Sequence, residues 1–220
     1  MKKFFVLSSW RTALGNLLPS AHGHQGGSRI AAIGSMLIMA FAVIGCDDSS
    51  SAHGLHHSCI SAAYMLSGEL RAAAIFNPYV GELFTAVKGE GAFLNGRPLR
   101  VSDGALAESL VCCGTTPYDA ALADRGFALM KAAFLAGLDI RREGSAALDL
   151  CSAAAGRCGV YFELGLSLWD YAAGKLLVEE AGGVCCTIDG AALPMDPTRP
   201  SVVAGGRRAV EEFLQLAREV

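Results

Sequence analysis

Charge is scarce in this chain. Of its 220 residues 18% are Asp, Glu, Lys or Arg, against about 25% in an ordinary soluble domain. With 52% apolar residues this excludes a disordered chain and suits a globular one with much buried strand and helix. No lysine- or arginine-rich run occurs and the net charge is −3, so the electrostatic footprint of a nucleic-acid binder is missing and no nucleic-acid partner is expected. No CxxC is found among the eight cysteines. The adjacent pairs Cys112-Cys113 and Cys185-Cys186 lie in strand-like segments, where neighbours face opposite sides. Buried reduced thiols are therefore expected ahead of a disulfide framework or zinc site, which favours a reducing, cytoplasmic location. Carboxylates are absent altogether between Met1 and Cys46. No internal repeat is visible, and the length fits one large domain or two small ones.

One uncharged and largely apolar run, Ile30–Gly45 (IAAIGSMLIMAFAVIG), is shorter than the roughly 20 residues of a membrane span. Val43-Ile44-Gly45-Cys46 resembles a bacterial lipid-attachment box, which makes a lipid anchor on Cys46 the alternative location. The charged start Met1-Lys2-Lys3 stands farther upstream than the 15–30 residues or so of a signal peptide allow. A buried helix or strand is the expectation for the run, and a membrane is not an expected partner.

Residues 1–52 form an atypical N-terminal segment; from His53 to Val220 the signals become regular. Ser58–Met65 and Leu70–Asn77 read as strands joined by Ser67-Gly68, Gly81–Val87 as a third, and Gly89–Ser102 as a strand with an Asn95-Gly96 hairpin turn. After a buried strand at Leu110–Cys113, a long helix is predicted from a Thr116 cap and Pro117 to Gly137. Ala123, Phe127, Met130 and Phe134 would form its apolar face. Further strands at Leu138–Arg142, Gly159–Glu163, Gly183–Thr187 and Ser201–Ala204 alternate with helices at Gly144–Ala155, Asp170–Ala181 and Ala209–Val220. Hairpins followed by alternating strands and helices predict layered sheets with helices between and outside them.

Two strand-to-helix junctions carry polar groups that packing does not require. In Arg142-Glu143-Gly144-Ser145-Ala146, a glycine at a helix start exposes backbone N–H groups that favour phosphate, although Gly-Ser also makes an ordinary cap. The other junction runs from Glu163 to Asp170. Its carboxylates can converge on a hard cation such as Mg²⁺, or serve as a solvated strand end and a helix N-cap.

WDYAAGKLLVEEAGG (Trp169–Gly183), REGSAALDLCSAAAGRCGVYFELGL (Arg142–Leu166), GELFTAVKGEGAFLNGRPLRVS (Gly81–Ser102) and His53-Gly54-Leu55 together resemble the inositol monophosphatase family in order and spacing. The resemblance implies a five-layer α/β/α/β/α sandwich and Mg²⁺-dependent hydrolysis of a small phosphomonoester, an inositol monophosphate or related polyol or sugar phosphate. It implies that Asp170 binds metal and approaches substrate hydroxyls. Glu163 would hydrogen-bond a hydroxyl, and Gly144, Ser145 and Ala146 would line the substrate. The expected assembly is a homodimer.

The upstream part departs from the family pattern. A glutamate-rich G-E-E motif and a D-P-x-D-G-T stretch supply most of the family's metal ligands. This chain reads AFAVIGCDDSSSAHG (Ala40–Gly54), where Asp47 and Asp48 are the remaining metal-ligand candidates. The family's N-terminal helical pair is accordingly expected to be missing or replaced. Two functions follow as expectations: a phosphoric monoester hydrolase of weak or absent turnover, or a noncatalytic homologue acting as an interaction or dimerisation partner.

Overall fold

The computed structural model describes residues 39–45, 54 and 56–220, the first stretch by its backbone alone. Its first sheet is an antiparallel meander of six strands in chain order: β1 (Met39–Gly45), β2 (Cys59–Leu66), β3 (Glu69–Asn77), β4 (Glu82–Val87), β5 (Gly91–Leu94) and β6 (Arg97–Pro98). Two-residue turns set the register. Ser67 and Gly68 have φ of 53° and 80°, Asn95 and Gly96 of 48° and 77°. These left-handed pairs match the twist of hairpin strands, as the sequence predicted. β1 continues the apolar run as a strand paired with β2, Gly45 opposite Cys59. The rest of that run, and Cys46, Asp47 and Asp48, lie outside the described residues, as does the segment where a helical pair was expected to be missing.

The second sheet has five strands: β7 (Leu110–Cys113), β8 (Asp139–Arg141), β9 (Val160–Glu163), β10 (Val184–Cys186) and β11 (Val202–Gly205), in spatial order β10-β11-β9-β7-β8. β7, β8 and β9 run parallel, β11 is antiparallel to β9, and β10, antiparallel to β11, runs in the direction of the parallel strands. Helices α2 (Ala146–Ala154) and α3 (Leu168–Glu180) pack between the sheets. Helices α1 (Ala123–Ala136) and α4 (Arg207–Ala217) cover the outer face of the second sheet. The described residues thus supply the β/α/β/α layers of the expected sandwich.

Both faces of the second sheet are buried, and side chains alternate between two cores. Cys112, Tyr161, Val202 and Ala204 face α2 and α3, whereas Val111, Val160, Phe162 and Val203 face α1 and α4. Phe162 stacks on Phe213 of α4 at 4.7 Å. The same alternation splits Cys112 from Cys113 and Cys185 from Cys186, and none of the described cysteines is in a disulfide. In the middle layer α2 and α3 nearly touch. A Cβ on Gly174 would lie 2.5 Å from the Leu150 Cβ, so this position of α3 accepts no side chain. Small residues on the first sheet, among them Ala63, Ala73, Ala86 and Ala92, belong to the same core.

Three sequence expectations need correction. Thr116 does not cap α1: its backbone is left-handed, with φ of 45°. A 3₁₀ turn, Ala120–Leu122, instead precedes the helix, with the Ala121 N–H donating to Asp119 Oδ1 at 3.0 Å. Thr116 and Pro117 spend themselves on the cleft described below. Of the expected face of α1, Met130 is buried but the two phenylalanines are not. Phe127 is 62% and Phe134 53% exposed, whereas Leu129, Met130 and Ala133 are buried, so sheet packing rather than residue size selected the inner stripe. Finally, α3 starts before Asp170. Ser167 is the N-cap, and Asp170 is the third helical residue, its Oδ2 accepting the Ser167 N–H at 3.0 Å. Asp170 still secures the helix start, from inside the first turn.

Candidate active site

Three chain segments leave the same edge of the parallel strands and meet in one cleft, the usual binding edge of an α/β sheet. Gly114-Thr115-Thr116 follows β7, Arg142–Ser145 follows β8 into α2, and Leu164–Ser167 follows β9 into α3. The cleft is lined by Gly114, Arg142, Gly144, Ser145, Ala146, Asp149, Glu163 and Asp170, with Tyr118 and Leu166 at its margins. All five of the sequence-nominated residues within the described chain, Gly144, Ser145, Ala146, Glu163 and Asp170, are therefore brought together. Asp47 and Asp48 lie outside the described residues.

Each group is held by identifiable local forces. Gly144 has φ of 92°, a conformation that disfavours any side chain, and turns the backbone into α2. Ser145 is the N-cap, but its side chain makes no capping bond; its Oγ lies 3.8 Å from Cys59 Sγ. The first α2 turn thus starts without a side-chain acceptor for its N–H groups, which leaves it suited to an anion. Arg142 adds a guanidinium to the same side and reaches Thr115 Oγ1 at 3.4 Å.

Glu163 ends β9 and is buried. Both its oxygens are engaged: Oε1 accepts the Thr116 N–H at 2.9 Å, and Oε2 accepts the Tyr161 hydroxyl at 2.9 Å. Strand alternation puts Tyr161 and Glu163 on one face. Gly114 leaves room for the carboxylate; a Cβ there would stand 1.9 Å from Oε2. Burial pushes the Glu163 carboxyl above its ordinary range, the Tyr161 and Thr116 hydrogen bonds pull it down, and the Asp170 charge pushes it up. Asp170 is likewise raised by burial, against the Ser167 N–H and the Arg199 guanidinium.

Asp149, one α2 turn inward from Ser145, completes a trio of carboxyls. Burial, followed by the Cys112, Glu143 and Glu163 groups, holds it well above the usual carboxylate range, with Arg142 opposing. Sequence reasoning missed Asp149, Tyr161, Thr116 and Gly114. Tyr161 was findable, two residues before Glu163 on a strand; Asp149 was visible as the lone carboxylate in an apolar helix. The Thr116 contact depends on a chain reversal that carries no sequence signature.

The cleft is chemically mixed. The α2 start and the Arg142 guanidinium share the cleft with three carboxyls, Asp149 of α2 itself and Glu163 and Asp170 from the β9–α3 side. Carboxyl oxygens are the donor type a hard cation prefers. Among the described residues no three His, Cys, Asp or Glu side chains stand close enough together to hold a metal ion.

A layered α/β sandwich whose cleft joins a helix start to buried carboxyls is the class defined by this fold. Residues 50–220 match the family model described as the inositol monophosphatase family, and the chain belongs to that family. It is 40% identical over 173 residues to Nus factor SuhB of Xylella fastidiosa, covering 76% of this chain and 63% of that protein. It is 40% identical over 169 residues to the inositol-1-monophosphatase of Rhizobium meliloti, covering 74% and 62%. The chain therefore spans about three fifths of the length of these curated relatives. Among solved structures, the extragenic suppressor protein suhB of Bartonella henselae superposes with a TM-score of 0.74 at 31% identity, covering 79% of this chain and 66% of that one. The inositol monophosphatase of Anabaena (Nostoc) superposes with a TM-score of 0.72, also at 31% identity, covering 80% and 69%.

Proposed function

We propose that the cleft binds a small phosphorylated polyol or sugar and that the protein is a Mg²⁺-assisted phosphoric monoester hydrolase of low turnover. The single observation that carries this reading is the convergence of the α2 start with Glu163 and Asp170 in one cleft. In this reading the α2 N–H groups and Arg142 take the phosphate, because helix starts and guanidinium favour anions. Glu163, fixed at both oxygens, accepts a substrate hydroxyl with its remaining lone pairs and orients the ring. Asp170 would hold Mg²⁺, with Asp47 or Asp48 as further ligands. Such an ion, when bound, neutralises phosphate oxygens and acidifies water. The buried carboxyls resist ionisation on their own, and a cation beside them favours their charged forms.

Low turnover is the reading we take from Ala40–Gly54, where Asp47 and Asp48 are the only carboxylates and no D-P-x-D-G-T stretch precedes His53. Groups that act as one site fail together when members are lost. The second reading is a noncatalytic homologue acting through a surface, favoured by relatives that are named Nus factors rather than hydrolases. No helix among the described residues is long and apolar enough to cross a membrane. A cytoplasmic homodimer is the assembly we propose for both readings.

The deciding experiment is phosphate release from inositol, sugar and nucleoside monophosphates with and without Mg²⁺, for the full chain and for Asp170→Asn. Slow Mg²⁺-dependent release that the substitution abolishes is the expected result. Release that persists in Asp170→Asn would place the metal elsewhere. No release, with intact binding of the same esters, would favour the noncatalytic reading.

A further inference from the structure

We propose that Asp149 is a specificity-determining residue of this cleft, its Oδ1 hydrogen-bonding a ring hydroxyl of the phosphorylated polyol or sugar. The inference rests on the reading of the cleft as a phosphomonoester site. Asp149 is 1% exposed, and its Oδ1 has no hydrogen-bond partner in the protein. More than about 90% of buried polar groups in folded proteins are satisfied, and an unsatisfied one costs about 1–3 kcal/mol. Nothing in the packing asks for this cost. Asp149 is surrounded on its own helix by buried Leu148, Leu150, Cys151 and Ala153, and an apolar residue would suit that environment. The residue nevertheless lines the cleft, together with Glu163 and Asp170.

The chemistry selects a hydroxyl over a phosphate as the occupant. A phosphate is drawn to the α2 start and Arg142, and is repelled by the wall that carries Glu163 and Asp170. A hydroxyl both donates and accepts. It can give its proton to Glu163, whose oxygens already receive Thr116 and Tyr161, and still serve Asp149. Burial and the neighbouring acids push Asp149 well above the usual carboxylate range. Protonated, it offers one donor and one acceptor of its own; ionised, it still accepts from a hydroxyl. Asp149, one turn into α2, would thus read a hydroxyl beside a phosphate held at the start of the same helix.

The test is calorimetry on the full chain with Mg²⁺, titrating inorganic phosphate and inositol monophosphate separately into wild type, Asp149→Leu and Asp149→Asn. Wild type is expected to prefer the ester. The leucine variant is expected to lose about tenfold or more in affinity for the ester, as befits one buried hydrogen bond, while keeping phosphate affinity within about twofold. Asparagine, which keeps a donor and an acceptor, restores most of the loss. Melting of the leucine variant should be no lower than wild type, since an unsatisfied buried group has been removed. An unchanged ester preference in folded Asp149→Leu, or equal loss of both probes, overturns the proposal and makes the residue structural. Asp149→Ala carries the same comparison if the leucine variant does not fold. Failure of wild type to bind either probe refutes the phosphomonoester reading itself and this proposal with it.

Discussion

Replacing Tyr161 by phenylalanine deletes one hydroxyl, 0% exposed, whose hydrogen bond reaches Glu163 Oε2 at 2.9 Å. The ring still fills the core facing α2 and α3, so the change isolates the hydrogen bond. Its cost depends on the charge of Glu163. When the carboxyl is protonated, both partners are neutral and about 1 kcal/mol is lost; when it is ionised, a buried anion loses a donor and about 1.5–3 kcal/mol is lost. The Tyr161 bond lowers the Glu163 pKa, against the larger effect of burial, so its removal moves that group further up. The penalty should therefore be small at acid pH and grow as pH rises through the titration of Glu163 in the folded protein. For a domain of this size 1 kcal/mol is about 2–4 °C in melting temperature. The expected loss is then about 3–12 °C where Glu163 is ionised and about 2–4 °C at pH 4, where it is protonated. Thermal melts across that range check it, with Glu163→Gln and the double variant completing a cycle. In the glutamine background the phenylalanine should cost about 1 kcal/mol at every pH. A penalty independent of pH, or identical in both backgrounds, would refute the account of how Glu163 is held.

Gly174→Ala gains about 1 kcal/mol of helix propensity but drives a methyl into Leu150; overpacking of about 1–3 kcal/mol or more should win, lowering the urea midpoint. Gly114→Ala places a Cβ against the Glu163 carboxylate and should displace it, abolishing any preference for inositol monophosphate over phosphate in calorimetry. Asp170→Asn should weaken Mg²⁺ binding measured by the same method, because a neutral amide replaces an anionic ligand; unaltered affinity would show that Asp170 is not a ligand. Asp149, Glu163 and Asp170 all have folded pKa values raised above their ordinary ones. Their stabilising contribution is complete below the unfolded values and is lost as pH rises through the folded ones. Urea midpoints should show that fall, and Asp149→Asn should flatten it.

Most of the strand and helix order was legible because local chemistry and tertiary packing agree. The Ser67-Gly68 and Asn95-Gly96 turns, the Gly144-Ser145 start and the Gly137 stop each follow from backbone preferences that need no distant partner. Legibility failed where an outside contact outvoted the local signal. Thr116-Pro117 has the look of a helix start, yet the Thr116 N–H is committed to Glu163, 47 residues away, which delays α1 to Ala123. On α1 the aromatic residues marked the apolar face by size, but the sheet buried the smaller Leu129 and Ala133 stripe. Asp170 was read as a cap from its position after Trp169; Ser167 holds that place, and the difference turns on whether Leu168 and Trp169 belong to the helix.

The same long-range contacts bear on why the cleft suits chemistry. Three carboxyls line one cleft, and burial works against the charge on each. A protein selected for stability alone would place apolar residues there, since buried polar groups contribute little net stability even when satisfied. The scaffold instead commits a backbone N–H, a buried tyrosine and a side-chain-free glycine to holding Glu163 in one orientation. It also leaves Asp149 Oδ1 without a partner. That pattern is the mark of a preorganised binding wall, in which the cost of desolvating and orienting polar groups is met during folding and not at the moment of binding. A ligand that brings hydroxyl donors, or a cation that favours the ionised carboxyls, then recovers energy the empty fold has forgone. Binding should accordingly raise the melting temperature of this chain by more than it raises that of Asp149→Leu, in which part of the strain is already relieved.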